Sequence, residues 1–287
     1  MFRGTGLLVI EVRCSNPNGD PDAESDPRTF DTDGRGLISP VSFKRKLRDL
    51  VAQKEGPVWA EAANKLSLNG NGRAYEILEA RGRNREEIWN LPRDQFISTY
   101  WDARVFGNTF LESMQTGSAN SRDHFIATGV VQFGPGISVA PVEIQRATTT
   151  NKAGVEEGKD RGMAPLGWRV VQHGVYTMPY YVNPSFARNT GCDEKDIKLL
   201  KFLIPYAYQH TASAIRTSVN LLHAWYAEHQ NALGSCPDYK IIDALTPKKK
   251  TNPVEPSKSK DEYVIPNTDN IDQGIKGKVT LVDLADA

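Results

Sequence analysis

The chain has 287 residues, 39% of them hydrophobic and 24% charged, which excludes wholesale disorder and suffices for one large domain or two small ones. Thirty-five basic and thirty-five acidic residues cancel, which argues against nucleic-acid binding over the whole surface but leaves room for a local basic stripe. The sequence lacks the run of roughly 18 apolar residues that a membrane-spanning helix needs, so no membrane partner is expected.

The cysteines and the N-terminus indicate the compartment. Cys14, Cys192 and Cys236 are odd in number and far apart, which suits neither a disulfide framework nor a zinc site. The chain enters its first predicted strand directly, and no signal peptide is expected. A reducing cytoplasm is therefore the predicted setting.

The N-terminal segment predicts a strand, an acidic loop and a basic helix in immediate succession. Alternating apolar side chains predict a strand over residues 5–13. Residues 15–38 are rich in Asn, Pro, Gly and Asp and predict a long loop. Ser39 and Pro40 are typical of a helix start, and the apolar spacing that follows predicts a helix over 40–53.

The rest of the chain alternates between helical and strand patterns. Helices are predicted at 59–66, 75–91, 193–210 (kinked at Pro205) and 237–245, and strands at 129–133, 137–144, 168–181 and 219–227. Residues 147–165 predict a flexible excursion, 246–260 a mobile basic loop, and 264–265 and 279–284 edge strands. The core order of strand, helix, strand, strand, helix, strand predicts an α+β protein with the ferredoxin-like pattern that RNA recognition motif domains also use.

The predicted helix over 40–53 concentrates positive charge near its start. Lys44, Arg45, Lys46 and Arg48 lie within its first three turns, and only Asp49 offers local relief. Cations near a helix N-terminus cost ~0.3–1 kcal/mol each at exposed positions, and like charges four residues apart add a smaller cost. An external polyanion would reverse the sign of these contributions. A solvated basic helix face is the plain alternative.

Ordered motifs along the chain carry a resemblance to a known family. They are NPNGDPD at 16–22, GLISP at 36–40, FKRKLR at 43–48, DARVFG at 102–107, GVVQFG at 129–134 and GVY at 174–176. In this order and spacing, the motifs resemble the backbone subunit of CRISPR Cascade surveillance complexes, in the RAMP superfamily, and most of all its type I-C form. The resemblance spans roughly 5–245, and no motif is recognised after 246.

The resemblance implies a non-catalytic RNA-binding subunit without a cofactor or a metal. Its expected partners are a CRISPR RNA, target DNA through the guide, further copies of itself in a helical filament, and other Cascade subunits. The implied architecture is a single domain, 1–287, with a palm, a finger-like helical insertion and a thumb hairpin. The palm is expected at about 5–53, 128–144 and 167–245, the finger at 54–127, the thumb at 145–166, and a C-terminal extension at 246–287.

The same resemblance implies which residues contact RNA. Lys44, Arg45 and Arg48 are the expected phosphate clamps, with Ser42 as a hydroxyl donor and Lys46 as a candidate that can point elsewhere. Met163 either wedges between bases or packs the base of its loop. The remaining candidates are Lys152, Lys159 and Arg161 on the thumb, Arg169 and Gln172 on the returning strand, and Arg216, which is either a phosphate contact or an ion-pair partner.

The acidic loop leaves other functions open. Asp20, Asp22, Glu24 and Asp26 alternate as in a calcium loop, but the register of an EF-hand is absent and prolines intrude. The resemblance implies a second alternative, because related type III filaments use an aspartate of the corresponding loop in metal-dependent cleavage of target RNA. A third alternative is a general RNA-binding scaffold of the same fold. A turn-forming loop at a subunit contact is the favoured reading.

Overall fold

The computed structural model describes residues 1–70, 72–108, 127–151, 164–268 and 271–286. Within them the strands are β1 (Gly4–Ser15), β2 (Arg35–Ile38), β3 (Gly107–Asn108), β4 (Ala127–Thr128), β5 (Val131–Phe133), β6 (Gly136–Pro141), β7 (Ile144–Asn151), β8 (Ala164–Val182), β9 (Val219–His229), β10 (Lys248–Lys249), β11 (Tyr263–Val264) and β12 (Val279–Asp283). The helices are α1 (Pro40–Ala52), α2 (Pro57–Lys65), α3 (Arg85–Trp89), α4 (Arg93–Thr99), α5 (Trp101–Phe106), α6 (Ala187–Thr190), α7 (Glu194–Leu203), α8 (Asp238–Leu245) and α9 (Gln273–Lys276). None of these helices has the length and apolar character needed to cross a bilayer.

One antiparallel sheet organises the described chain. Its order is β12-β9-β1-β8-β6-β2, and β5 and β7 also pair with β8. The long strand β8 pairs with β1 over Val171–Val182 and with β7 over Ala164–Val171. We call the paired segments Ile144–Asn151 and Ala164–Val171 the ribbon. The residues that join its two strands, with the thumb candidates Lys152, Lys159, Arg161 and Met163, lie outside the described residues.

The first face of the sheet is covered by α1 and α7. Leu8, Ile10 and Val12 of β1 pack in one cluster with Phe43 and Leu47 of α1, as the alternating and helical spacings predicted. The helix begins as predicted, since Ser39 Oγ accepts a hydrogen bond from the Ser42 N–H at 3.2 Å and Pro40 follows the cap. This packing fixes which sides of α1 remain open.

The second face of the sheet is covered as well. Leu7, Val9 and Trp225 pack beneath Ile241 of α8 and Tyr263 of the C-terminal segment. The segment after residue 246 also supplies β12, which extends the sheet beyond β9. In the described part of the chain, both faces of the sheet are therefore covered.

A strand occupies part of the segment that was predicted to be a loop. Residues 35–38 form β2, which pairs with β6 at the sheet edge. Gly36 allows the approach, because a Cβ at this position would lie 2.2 Å from the Tyr176 hydroxyl oxygen. The glycine content that predicted a loop instead permits a close-packed edge strand.

The predicted helix over 75–91 is wrong except at Arg85–Trp89. Residues before it run in extended form beside α5, where the Glu76 N–H bonds the Thr99 carbonyl at 2.9 Å and the Trp101 N–H bonds the Glu76 carbonyl at 3.0 Å. These contacts join segments more than 20 residues apart, and helical periodicity cannot report them. Elsewhere in the described part of the insertion, the chain forms the helices α2, α4 and α5.

The segment predicted as a basic loop, 246–260, is held by its own lysines. Residues 248–249 form β10, which pairs with β11. The Lys249 ammonium donates to the carbonyls of Asn252 and Glu255 at 3.1 and 2.6 Å, and its side chain is 3% exposed. The Lys249 charge therefore organises the local chain and is not displayed to a polyanion, whereas Lys248 and Lys250 are exposed.

Candidate nucleic-acid interface

Two cavities of about 500 Å³ each flank α1. The first, which we call the Lys44 groove, lies toward α5 and is lined among others by Lys44, Arg45, Arg48, Phe106 and Gln132. The second, the Lys46 groove, is lined by Ser42, Arg45, Lys46, Asp49, Arg81, Thr211 and Arg216. Four of the predicted site residues, Ser42, Arg45, Lys46 and Arg216, thus meet in one cavity, although Arg216 is far away in sequence.

The Lys44 groove holds a half-buried lysine. The Lys44 ammonium lies 5.6 Å from the ring centroid of Phe106. Burial, and secondly the neighbouring Arg48, lower the pKa of Lys44 from its ordinary value. Within the described ranges no carboxylate lies within 4.0 Å of this ammonium. Its charge is therefore open to an anion from outside.

Arg48 is engaged by the protein itself. Its Nε lies 2.8 Å from Asp102 Oδ2, and the two side chains are 10% and 1% exposed. Asp102 Oδ1 also accepts the Leu78 N–H at 2.7 Å, so the carboxylate joins α1 to the helical insertion. Asp49 was the only local relief for the charge of α1 that the sequence showed. The structure adds Asp102, which lies 54 residues further along the chain from Arg48. Arg48 thus forms the floor of the groove, and its predicted clamp role competes with this ion pair.

Arg45 borders both grooves and is partly neutralised. Its Nε lies 2.8 Å from Asp49 Oδ1 one helical turn away, and Nη1 donates to the Glu79 carbonyl at 2.7 Å. The side chain remains 37% exposed. A surface pair of this kind is weak and screened by salt, so Arg45 stays able to face a phosphate.

The Lys46 groove contains a buried cation. Lys46 Nζ lies 3.2 Å from Thr211 Oγ1 and 5.2 Å from the ring centroid of Tyr208, and the residue is 5% exposed. Burial, and secondly the charge of Arg216, lower the pKa of Lys46 to about 8, while Asp49 acts in the opposite direction. The residue does point away from Lys44, toward the other flank of the helix.

Arg216 supplies the opposite wall of this groove. Its Nε donates to the Asn16 carbonyl at 3.1 Å, and no carboxylate of the described residues pairs with it. Of the two roles that the sequence left open, the ion-pair role is therefore not seen in this part of the chain. Arg81 adds a further cation to the lining, and Thr211 accepts the Lys46 bond. Neither residue carries a sequence signal that could have singled it out.

The ribbon and the acidic loop contact each other. Arg169 pairs with Glu24 and, at 3.3 Å, with Asp26. Arg146, which belongs to none of the sequence motifs, donates from Nε to Asp26 at 2.9 Å. Arg169 is therefore engaged by the protein, whereas the Gln172 side chain is exposed.

The carboxylates proposed for metal chemistry are partly occupied. Asp20 Oδ1 accepts the Asp22 N–H at 3.1 Å and lies 3.4 Å from Arg28 Nη2, while Asp22 is exposed. Within the described ranges no group of three or more His, Cys, Asp or Glu side chains is placed to hold a metal ion. Capping a turn and pairing with an arginine are the roles that the geometry gives to Asp20.

An antiparallel α+β fold with cation-lined grooves along one helix defines a protein suited to hold a polyanion. The family model described as CRISPR-associated protein Cas7 matches residues 3–268, and the chain belongs to this family. The predicted family is thereby confirmed, while the type I-C subtype stays a prediction.

The chain is similar to the CRISPR-associated protein Cas7 of Haloferax volcanii, with 24% identity over 209 residues, which cover 69% of this chain and 61% of that protein. It thus spans less than two thirds of that relative's length. A chain of a "CRISPR RNA-guided surveillance complex, pre-nicking" is 16% identical, with a TM-score of 0.47 and coverage of 79% of this chain and 78% of that one. A chain of a "CRISPR RNA-guided surveillance complex" is 15% identical, with a TM-score of 0.39 and coverage of 78% and 69%.

Proposed function

We propose that this protein is a backbone subunit of a Cascade surveillance complex that binds a CRISPR RNA through the phosphates. Several copies, together with other Cascade subunits, lie along one guide in the cytoplasm and leave its bases free to pair with target DNA. Membership of the Cas7 family and the ordered motifs support this assignment, and the motifs favour the type I-C form. The guide then supplies sequence specificity while the protein holds the backbone.

One observation carries the proposal. Lys44, Lys46 and Arg216 line the two grooves of α1 without a carboxylate partner among the described residues. Proteins rarely leave half-buried or buried cations unpaired, because desolvation penalises the charged form. A phosphate backbone crossing α1 would neutralise these cations and explain their placement.

The proposed architecture follows from the sheet. We propose that the strands β9, β1, β8 and β6 with α1 and α7 form an RNA recognition motif-like palm. The insertion around α2–α5 would then be the finger, and the ribbon would be the base of the thumb. The segment after 246 belongs with the palm, because it closes the second sheet face. A closed sheet face favours contacts from the helix grooves to the RNA backbone over base stacking.

We propose that the subunit is non-catalytic. In the acidic loop, Asp20 is paired with Arg28, and Glu24 and Asp26 are paired with ribbon arginines. These pairings favour a charge-balancing role for the loop over metal-dependent cleavage of RNA.

Single substitutions that remove one charge each test the site. Lys44→Gln and Arg216→Gln are each expected to weaken binding of an oligouridine RNA and to lower the slope of log K against log[salt] by about 0.7, the value for one lost phosphate contact on a single strand. Lys198→Gln, on the exposed side of α7, removes the same charge elsewhere and is the matched control. Binding is measured by fluorescence anisotropy in EDTA at several salt concentrations.

Equal losses of RNA affinity in all three variants would show that only the net charge matters. That result would refute the proposed binding site. The guide itself is tested by sequencing the RNA that copurifies with the protein. Repeat-derived guides are expected, and a random cellular mixture would favour a general RNA-binding scaffold.

A further inference from the structure

Two arginines lie directly opposite each other on the ribbon. Arg146 of β7 and Arg169 of β8 are cross-strand partners in register. Like charges in this position destabilise a strand pair, because their side chains leave the same face of the sheet close together. The arrangement needs an anion to offset the repulsion.

The acidic loop supplies that anion within the chain. Asp26 accepts hydrogen bonds from both arginines, and Glu24 accepts one from Arg169. The Asp26 side chain is 15% exposed, whereas Glu24 is 80% exposed and Arg146 is 60% exposed. Asp26 is thus the anchor of the contact, and Glu24 is its exposed and easily displaced part.

The loop connects the ribbon to the start of α1. Its base is closed by the Asp20 N–H, which bonds the Asp26 carbonyl at 2.7 Å. Just before it, Asn18 Oδ1 accepts the Ser39 N–H at 2.6 Å, at the cap of α1. An RNA strand that runs from the basic helix α1 to the ribbon must therefore pass the acidic loop.

The backbone at the tip of the acidic loop is strained. Glu24 and Ser25 have φ values of 49° and 66°, in the left-handed region that residues other than glycine disfavour. Because the Glu24 side chain is 80% exposed, its pair with Arg169 is easily displaced.

We propose that Glu24 and Asp26 act as an internal substitute for phosphate, occupying the Arg146–Arg169 pair in the free chain, and that Glu24 gives way when the phosphate backbone of RNA reaches the ribbon. The inference rests on the proposed function and adds a competition to it. An incoming strand with several phosphates gains enough contacts to displace the exposed carboxylate, whereas an isolated anion does not. The loop thereby favours long RNA over short or weakly charged ligands.

The test compares two substitutions that change net charge equally. Glu24→Gln removes the competitor, and Asp22→Asn removes an exposed carboxylate of the same loop that has no arginine partner among the described residues. Glu24→Gln is expected to tighten binding of oligouridine RNA about two- to fivefold, the range set by loss of one exposed ion pair, and to steepen the salt slope by up to about 0.7. Asp22→Asn is expected to change affinity less than half as much.

A double-mutant cycle shows whether the gain passes through the ribbon. In an Arg146→Gln, Arg169→Gln background, Glu24→Gln should no longer tighten binding. The inference is refuted if Glu24→Gln and Asp22→Asn raise RNA affinity equally, or if the effect of Glu24→Gln persists without both arginines. In either case, RNA binding by the wild type would leave the proposed function standing. If no variant binds RNA at low salt, the proposed function fails and this inference fails with it.

Discussion

The buried cation Lys46 predicts that a substitution at the proposed RNA site stabilises the free protein. Lowering its pKa from 10.5 to about 8 corresponds to ~3 kcal/mol of free energy that opposes folding of the charged form, at ~1.4 kcal/mol per pKa unit. Lys46→Met keeps the length of the side chain and removes the charge. The variant loses the bond to Thr211, worth ~1 kcal/mol, and Thr211 keeps its bond to the Ala207 carbonyl at 2.6 Å. The net expectation at pH 7 is a gain of ~2 kcal/mol in the free energy of unfolding, which is the difference between these two magnitudes.

The pH dependence distinguishes this cause from improved packing. Below pH 8, Lys46 is charged in both the folded and the unfolded chain, so the wild type carries the full penalty. Between about 8 and 10.5 the folded chain binds fewer protons than the unfolded chain, so wild-type stability rises with pH relative to Lys46→Met. The advantage of the variant should shrink by roughly 2 kcal/mol between pH 7 and pH 10.

Urea unfolding of both proteins, followed by circular dichroism at pH 7 and pH 10, measures the two differences. Lys198→Met, at an exposed position of α7, serves as the control and should show a difference that is flat with pH. A stability difference for Lys46→Met that is equal at both pH values, or a destabilised variant at pH 7, would refute the burial argument. RNA affinity of the same variant should fall, because one phosphate partner is lost.

Two further predictions concern the buried ion pair and the acidic loop. Asp102→Asn leaves the Arg48 guanidinium without its carboxylate and should destabilise the protein by ~3–5 kcal/mol in urea unfolding. Arg45→Gln removes a surface pair worth ~0.3–0.5 kcal/mol and is the comparison. Similar losses of stability in the two variants would contradict the argument that burial makes the Arg48–Asp102 pair the stronger one. RNA-loaded protein incubated with complementary RNA and Mg²⁺ should release no fragments at regular spacing on a denaturing gel. Regular fragments that disappear in Asp20→Ala would instead establish a metal-dependent ribonuclease.

The parts of the fold that local spacing determines were predictable. The cap at Ser39, the buried side of α1 and the common face of Leu8, Ile10 and Val12 on β1 depend on residues within one or two turns or strand repeats, and all were found. The order of strands and helices also predicted the α+β class, and the structure shows this class with an antiparallel sheet.

The features that could not be predicted depend on contacts between residues that are distant in sequence. The Arg48–Asp102 pair joins residues 54 positions apart, and the Arg146–Asp26 pair joins residues 120 apart. Charge counting within a helix cannot show that a remote carboxylate neutralises one of its cations. The cover of the second sheet face was missed for the same reason, because Leu7 and Val9 meet partners more than 200 residues away.

The closed sheet face and the open grooves together explain why the proposed binding would tolerate any guide sequence. Trp225 and Tyr226, aromatic residues of the central sheet, are 1% and 2% exposed, so neither is placed to stack a base. In the proposed binding mode, the groove cations without a carboxylate partner among the described residues would recognise charge; they are Lys44, Lys46 and Arg216. Contacts to phosphate position a strand without reading its bases, so this mode gives up sequence readout. The edges of the guide bases then remain available to a complementary strand, as RNA-guided recognition of target DNA requires.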